Sequence, residues 1–274
     1  MTRLIALYIC TALKPSAGRY PSFLRKHVKT LLRLIQFKFL RLFTSITLET
    51  TAYCNRECEF CPNHPKYPKR GKGLMSEAAY RKAVSELGNI NYVGRISPHL
   101  YGEPLLDKRL NELIRFTREA CPYANIMVMS NGDMLTEAVL KELIASGMDE
   151  IYVTCYDEAI PERLSTLAKQ YRSYVTIRLF RNVEKRNRAG IIDNVPKALD
   201  SMSPCPRPAS QIVVNWHGDI VLCCNDYYGK YLFGNVEEKG LVDIWQSQEY
   251  SKFKNVLLRP GGRQDVDLCK QCNG

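Results

Sequence analysis

Short segments rich in apolar and β-branched residues alternate with longer segments of helical periodicity between residues 46 and 179. This alternation predicts repeated βα units and a parallel sheet, and therefore an α/β fold that we interpret as a partial, TIM-like (β/α)6 barrel. The predicted strands cover residues 45–50, 92–100, 125–130, 150–155 and 174–180. The predicted helices cover residues 76–87, 107–120 and 136–146, and Ser76, Asp107 and Thr136 are suited to capping them.

A second module follows residues 201–208, where three prolines interrupt regular structure. Apolar segments at residues 211–216 and 219–223 flank His217 and Gly218, which predicts a β-hairpin. Residues 241–257 have helical periodicity. We therefore divide the chain into an N-terminal arm (1–44), the barrel (45–200) and a small C-terminal domain of β-hairpin plus helix (201–274).

The N-terminal arm is basic and amphipathic, because apolar residues recur at helical spacing through residues 23–43 with basic residues between them. Two interpretations of this helix stay open. It packs on the barrel, or residues 23–43 lie on an anionic membrane surface, since basic residues flanking an apolar face suit that interface. No segment is long enough to span a bilayer. No clean small-residue cleavage site follows the apolar start of the chain, so we do not interpret it as a signal peptide.

The formal net charge of +11 is concentrated in the arm. Nine of the 39 Lys and Arg residues lie in residues 1–44, which contain no Asp or Glu. The other 30 basic residues nearly balance the 28 acidic residues of the chain. This distribution predicts no nucleic-acid partner for the body of the protein.

The eleven cysteines have the spacing of metal ligands rather than of a disulfide framework. Cys54, Cys58 and Cys61 form a C-x3-C-x2-C run, and Cys269 and Cys272 form a C-x2-C pair near the end. Such sites need reduced thiols, so we expect a cytoplasmic protein, membrane-associated at the inner surface if the arm binds lipid. A zinc site is the alternative for each set of cysteines.

The run CNRECEFC, directly after the first predicted strand, resembles the cluster-binding loop of the radical S-adenosylmethionine (SAM) superfamily. The resemblance extends over residues 46–180. It implies that Cys54, Cys58 and Cys61 hold a 4Fe-4S cluster with one iron open for SAM. It also implies one-electron cleavage of SAM to a 5′-deoxyadenosyl radical, with a flavodoxin or ferredoxin-type protein as electron donor.

The same resemblance assigns cofactor-binding residues. Phe60 matches the aromatic residue near the adenine, and Ser130 and Asn131 lie where polar side chains reach the ribose. Gly102 and Glu103 resemble the Gly-Gly-Glu motif that meets the methionine amino group, with Tyr101 in place of the first glycine.

A second set of cysteines resembles the twitch domain, a shortened form of the SPASM domain that encloses one auxiliary 4Fe-4S cluster. The set reads C-x12-G-x4-C followed by the C-terminal pair, and its members are Cys205, Cys223, Cys269 and Cys272. The spacing from Gly218 selects Cys223 over Cys224. Four protein ligands leave no open iron, so the resemblance implies a role in electron transfer.

Several segments resemble twitch-type radical SAM dehydrogenases that oxidise a secondary alcohol of an aminocyclitol. These segments are GRISPHLYGEPLL, SNGDMLTE, NRAGIIDN and the terminal LCKQC. The resemblance implies a small-molecule substrate, a sugar or aminocyclitol, that loses hydrogen from a carbinol carbon and becomes a ketone. It also implies that Arg188 anchors the substrate. Tyr101 and His99 are further candidates for contact with it.

Three alternatives remain at this level. Cys155 ends the fourth predicted strand, where a thiol could return hydrogen and give an epimerase, although its parity with Ile151 and Val153 also fits a buried thiol. A ribosomal-peptide maturase is the second alternative. The third concerns the basic loop at residues 66–72, which is either solvated or suited to a phosphorylated or nucleotide-linked sugar.

Overall fold

The computed structural model describes residues 22–182, 185–193, 195 and 202–273. In this part of the chain, eight strands form one sheet. In chain order they are β1 (Ser45–Leu48), β2 (Arg95–Ser97), β3 (Asn125–Ser130), β4 (Glu150–Cys155), β5 (Val175–Leu179), β6 (Gln211–Val214), β7 (Asp219–Val221) and β8 (Leu232–Asn235). Their order across the sheet is β5-β4-β3-β2-β1-β6-β7-β8, and β1 to β5 are parallel.

The described helices are α1 (Ser22–Arg33), α2 (Glu77–Asn89), α3 (Leu110–Ala120), α4 (Glu137–Ala145), α5 (Glu162–Gln170), α6 (Arg207–Ser210), α7 (Leu241–Gln246) and α8 (Gln248–Leu257). Of these, α2 to α5 connect the parallel strands β1 to β5, as expected for βα units. The predicted caps Ser76 and Thr136 are confirmed, because their side chains accept the backbone N–H groups of Ala79 and Val139. Helix α5 was not predicted from the sequence.

The predicted helix start at Asp107 is wrong by three residues. Pro104–Leu106 forms a short 3-10 turn, and Asp107 ends it rather than beginning α3. The Asp107 carboxylate accepts the backbone N–H of Arg109 at 3.0 Å and also its guanidinium at 2.9 Å. This local side-chain bond favours a turn over a helix at Asp107.

The C-terminal hairpin extends the sheet of the barrel. Strands β6 and β7 are antiparallel, as predicted, and Gly218 between them has a φ of 86° that suits glycine. Strand β6 also pairs in parallel with β1, from Ser45 beside Gln211 to Leu48 beside Val214. Strand β8 was not predicted. The helix predicted at residues 241–257 is two helices, because Ser247 leaves the helical conformation and caps α8 through Tyr250 N.

The arm packs on the barrel over the residues that the structure describes. Helix α1 continues as a π-helix, Leu34–Phe39, and Leu32, Ile35 and Leu40 are buried in the larger hydrophobic core. The Gln36 amide donates to Ile90 O and Asn91 O, both at 2.9 Å, and accepts Val93 N at 3.1 Å. The first 21 residues of the predicted arm lie outside the described residues. None of the described helices is both long enough and apolar enough to cross a membrane.

Candidate active site

The first cysteine loop follows β1 and is held at its base by charged and amide groups. Arg56 donates through Nε to Asp133 Oδ2 at 2.6 Å, and its guanidinium lies 5.6 Å from the Tyr156 ring centroid. Asn55 donates to the same carboxylate oxygen at 2.7 Å, and Asn131 donates to Asn55 at 2.8 Å. The loop is therefore fixed against the residues that follow β3.

The three thiols of this loop suit a cluster with one iron free of protein ligands. Cys54, Cys58 and Cys61 are free and partly buried. Burial raises the pKa of Cys58 to about 11, so metal binding must displace a thiol proton. Thiolates are the usual ligands of 4Fe-4S clusters. The donor set present here fits that group.

Glu103 is buried at the carboxyl end of the barrel, with 2% of its surface exposed. Its Oε1 accepts the Ser130 hydroxyl at 2.8 Å and Leu105 N at 3.1 Å, and its Oε2 accepts Asn131 N at 2.8 Å. A carboxylate can accept about four hydrogen bonds. One acceptor site on Oε2 therefore remains for a ligand cation such as an ammonium. Burial raises the pKa of Glu103, which a bound cation would oppose.

Gly102 is required by a close approach of the chain to itself. A Cβ at this position would lie 2.1 Å from Thr51 O and 2.8 Å from Tyr53 O, both in the segment leading into the cysteine loop. The absence of a side chain therefore lets the two loops pack together.

Phe60 lies in an aromatic group that the sequence did not reveal. Its ring centroid is 3.8 Å from that of Phe180 and 5.2 Å from that of Tyr156. Phe180 follows β5 and Tyr156 follows β4. Tyr156 directly follows one predicted strand and Phe180 ends another, and these positions were the available signal, because strand ends carry the chemistry of parallel barrels.

The second set of thiols converges in the C-terminal domain. Cys269 has Cys272 and Cys205 as electrostatic neighbours, and Cys223 has Cys269 and Cys272. Burial raises the pKa of Cys269 to about 12. Among the described residues, no three His, Cys, Asp or Glu side chains are arranged to hold one metal ion.

Cys224 is a neighbour of both Cys223 and the barrel residues. It acts electrostatically on Cys223, Tyr101 and Arg188, and its carbonyl oxygen accepts the Tyr101 hydroxyl. Cys223 has two of the other three thiols of the set, Cys269 and Cys272, beside it. The choice of Cys223 made from the spacing stays a prediction.

Arg188 is close to residues of both thiol sets. Cys61 and Cys224 are among its electrostatic neighbours, and its partner Asn225 donates to Cys272 Sγ at 3.2 Å. It donates through Nη1 to Asn225 Oδ1 at 3.3 Å, and its guanidinium lies 5.6 Å from the Tyr101 ring centroid. Among the described residues it has no carboxylate partner. Most of its five N–H donors are thus available to a substrate.

The turn that carries Arg188 is strained. Arg188, Ala189 and Gly190 have φ values of 49°, 56° and 89°, so two residues other than glycine are left-handed. Such strain persists only where the surroundings impose it. Asn187 supplies that restraint, because Asn187 N donates to Asn273 Oδ1 at 2.9 Å and the Asn187 side chain donates to Gln271 O. The C-terminal tail thereby fixes the position of Arg188.

The basic loop divides into exposed lysines and one buried arginine. Lys66 pairs with Asp193 at 3.3 Å near the surface. Arg70 turns inward and pairs with Glu49, which is fully buried at the end of β1. Its guanidinium lies 4.5 Å from the Tyr227 ring centroid. The isolated acid at the end of an apolar strand indicates a buried carboxylate, but it does not indicate which basic residue pairs with it.

Glu49, Arg70, Tyr101, Arg188 and Tyr227 thus form one central polar cluster. Arg70 and Arg188 both lie over the face of Tyr101, at 5.1 and 5.6 Å from its centroid. Tyr101 and Tyr227 contact edge to face at 4.9 Å. Arg70 Nε and Trp216 Nε1 are buried without a partner among the described residues, and each is a donor that a bound molecule could satisfy.

His99 and Cys155 are less suited to substrate chemistry. Burial and the charge of Arg95 lower the pKa of His99 to about 4, so its imidazole is neutral. Cys155 is 1% exposed, and its thiol donates to Ala159 O at 3.6 Å. Its strand parity with Ile151 and Val153 places it in the interior, which agrees with a packing role.

A loop with three free thiols after the first strand of a parallel sheet, together with a second set of thiols in the domain that extends that sheet, fits an iron-sulfur protein. The chain belongs to the radical SAM superfamily, whose family model matches residues 48–195. The iron-sulfur cluster-binding domain known as SPASM matches residues 205–273. The predicted fold and the predicted cofactors, SAM and 4Fe-4S clusters, are confirmed.

One related enzyme and one solved structure indicate which members of this superfamily the chain resembles. The S-adenosyl-L-methionine-dependent 2-deoxy-scyllo-inosamine dehydrogenase of Niallia circulans is 34% identical over 239 residues, which are 85% of this chain and 94% of that enzyme. The crystal structure of BtrN in complex with AdoMet and 2-DOIA matches with a TM-score of 0.78 at 34% identity and the same coverage. The resemblance to an aminocyclitol dehydrogenase is therefore confirmed.

The peptide-maturase alternative has weaker support. The PqqA peptide cyclase of Bradyrhizobium diazoefficiens is 28% identical over 130 residues, which are 47% of this chain and 32% of that enzyme. That likeness covers about half of this chain. Neither it nor the buried Cys155 favours the alternatives to alcohol oxidation.

Proposed function

We propose that this enzyme oxidises a secondary alcohol of a sugar or aminocyclitol to a ketone. The observation that carries the proposal is the position of Arg188, which lies 5.6 Å from the Tyr101 ring centroid and is joined through Asn225 to Cys272 of the second thiol set. When bound, SAM and the first cluster would supply the radical that removes a hydrogen atom from the carbinol carbon. The hydroxyl proton would leave to solvent, and the auxiliary cluster would accept the remaining electron.

The first barrel loops hold SAM in this proposal. Cys54, Cys58 and Cys61 ligate the first cluster, and Glu103 accepts the methionine ammonium at its free Oε2 site. Ser130 and Asn131 are fixed beside it by their bonds to the same carboxylate. Phe60 offers an aromatic face to the adenine, next to Tyr156 and Phe180.

Arg188 and Tyr101 hold the substrate ring. The guanidinium is a planar fork that can donate to two hydroxyls at once. The strained turn and the C-terminal tail fix the position of the guanidinium, and a cation–π contact with Tyr101 supports it. Holding the carbinol carbon still matters, because hydrogen abstraction depends on the approach of the reacting atoms.

The experiment is anaerobic turnover of the reconstituted enzyme with 2-deoxy-scyllo-inosamine, related aminocyclitols and glycosides in D2O. We expect a product lighter by two hydrogen atoms, formed together with 5′-deoxyadenosine. A product of unchanged structure that carries carbon-bound deuterium would show epimerisation and contradict the proposal. Arg188→Met should lose the ketone and keep slow substrate-independent formation of 5′-deoxyadenosine.

We infer that an acidic flavodoxin or ferredoxin-type donor docks beside Cys54. A surface pocket of about 300 Å³ adjoins the cysteine loop and is lined in part by Tyr53, Leu74 and Lys108. Tyr53 and Leu74 are 48% and 46% exposed, and Lys108 is exposed. Lys108→Glu should slow SAM cleavage with a flavodoxin and its reductase but not with dithionite. Lys252→Glu on α8 is the control, and equal loss with both reductants would refute the docking site.

We also propose that the arm contacts an anionic membrane surface. Its outward face carries Leu31, Leu34 and Phe39, which are 47%, 44% and 60% exposed, among basic residues and no acids. Deleting the arm would not test this, since Leu32 and Ile35 belong to the core. Flotation with phosphatidylserine vesicles should recover the wild type and not Leu34→Glu/Phe39→Glu.

The control for flotation is Leu232→Glu/Leu258→Glu, which adds the same two negative charges to residues 51% and 46% exposed elsewhere. Phosphatidylcholine vesicles test the electrostatic contribution, and recovery with them should be low. Equal recovery of the wild type and the Leu34→Glu/Phe39→Glu variant would exclude this face as the membrane contact.

A further inference from the structure

Asn225 makes an unusual pair of contacts to the second thiol set. It lies two residues after Cys223 and is 1% exposed. Its backbone N–H donates to Cys223 Sγ at 3.4 Å. Its side-chain amide donates through Nδ2 to Cys272 Sγ at 3.2 Å. One residue thus donates hydrogen bonds to two of the four proposed ligands of the auxiliary cluster.

The same amide contacts the proposed substrate-binding residue. Asn225 Oδ1 accepts Arg188 Nη1 at 3.3 Å, so the side chain bridges the guanidinium and Cys272 Sγ. A cation on the oxygen side polarises an amide and strengthens the donor character of its nitrogen. The charge of Arg188 therefore acts on the Cys272 sulfur through Asn225.

We propose that Asn225 is a positioning residue that raises the reduction potential of the auxiliary cluster and couples that potential to Arg188. The proposal rests on the cluster ligation and substrate contact given under Proposed function. Hydrogen bonds to cluster sulfurs are a recognised determinant of potential. Reduction adds one negative charge to the cluster, so an N–H donor to a ligand sulfur stabilises the reduced form more than the oxidised form.

This placement matters for the electron that alcohol oxidation leaves behind. Loss of one hydrogen atom and one proton from a carbinol leaves one electron to transfer as the C=O bond forms. The acceptor is the oxidised auxiliary cluster, which is reduced by that one electron. A higher reduction potential of the auxiliary cluster favours this transfer. Arg188, which holds the substrate in this proposal, is linked to Cys272 Sγ through a single residue, Asn225.

The test is potentiometric titration of the reconstituted full-length enzyme, followed by electron paramagnetic resonance. Added SAM shifts the signal of the first cluster and so distinguishes it from the auxiliary one. Asn225→Ser removes the two side-chain contacts, to Arg188 Nη1 and to Cys272 Sγ, and keeps the backbone bond to Cys223. Asn225→Asp keeps an acceptor for Arg188 but replaces the Nδ2 donor to Cys272 with an anionic oxygen. We expect both to lower the auxiliary potential, Asn225→Asp by at least tenfold in the reduction equilibrium, about 59 mV for one electron.

The controls separate tuning from general damage. Asn235→Ser removes an amide from the same domain that donates to His217 O and Asp219 and to no cysteine, and its auxiliary potential should equal that of the wild type. The first cluster should titrate unchanged in every variant. Arg188→Met should lower the auxiliary potential by less than Asn225→Ser, because the donor remains but is no longer polarised.

Two results would overturn the inference. The first is a wild-type auxiliary potential in both Asn225 variants at full iron content. The second is loss of the auxiliary iron from both, which would make Asn225 a structural support of the ligands. Neither readout needs the substrate, so a failed search for alcohol oxidation would leave this measurement valid.

Discussion

The carboxylate of Glu49 and the guanidinium of Arg70 form an ion pair in the interior, at the end of β1. The same carboxylate accepts Tyr101 N at 3.3 Å and Trp216 N at 3.2 Å, so it joins the loop after β1 to the loops after β2 and β6. Burial raises the pKa of Glu49, and the neighbouring Arg70 opposes that rise. Removing one member of such a buried pair is costly, because the remaining charge is left in the interior without a partner and without water to solvate it.

Glu49→Gln should therefore destabilise the protein by about 3 kcal/mol. The measurement is the urea midpoint of the anaerobic enzyme, with iron content recorded alongside. Lys66→Gln is the matched control, since its partner Asp193 is exposed and solvent already screens that pair. A midpoint shift no larger than that of the control would mean that Arg70 finds another partner.

Iron content distinguishes Cys223 from its neighbour Cys224. Cys223→Ala should remove the auxiliary cluster and lower the iron bound per chain by about half. Cys224→Ala should keep the full iron content, because the neighbours of Cys223 include Cys269 and Cys272, whereas Cys224 is a neighbour of Arg188. The reverse pattern would exchange the two assignments.

Glu103→Gln should weaken SAM binding by roughly tenfold or more, because a charge-assisted bond to the ammonium becomes a neutral one. Equilibrium dialysis of the reconstituted enzyme measures this. The amide introduced by this substitution can still accept some of the present bonds, so the fold should persist. Glu112→Gln, on the exposed face of α3, serves as the control, and equal affinities in the two variants would remove Glu103 from the SAM site.

Gly102→Ala should disturb the first cluster and leave the second in place. The added methyl would meet Thr51 O at 2.1 Å, and the segment leading to Cys54 would have to move. Gly240→Ala meets only the flexible carboxylate of Asp243 within 3 Å and should be neutral. The check is the fraction of the iron whose resonance signal responds to SAM, which should fall in Gly102→Ala alone.

Local sequence signals predicted most of the barrel and both thiol sets. Ser76 and Thr136 cap their helices through bonds three residues along the chain, so the pattern contains what is needed. The helix start predicted at Asp107 was wrong because an aspartate side chain can also stabilise a turn, and Pro104 before it favours that turn. Cysteine spacing indicated both iron-sulfur domains, because a cluster-binding loop keeps several ligands close together in the chain.

Long-range pairings were beyond the sequence. Arg70 lies among lysines and differs from them only through Glu49, 21 positions away. Tyr156, Phe180 and Asn225 gain their roles from neighbours on other loops. The pairing of β6 with β1 joins segments more than 160 residues apart, and no local pattern specifies it.

That pairing makes the auxiliary domain part of the barrel's own framework. Ile46 and Leu48 are fully buried and lie beside Ile212 and Val214 in the sheet. Without residues 211–214, β1 would become an edge strand with unpaired backbone groups. A fragment ending before residue 205 should aggregate rather than fold. During evolution, loss or exchange of this domain would therefore require another strand or helix to cover the exposed edge of β1.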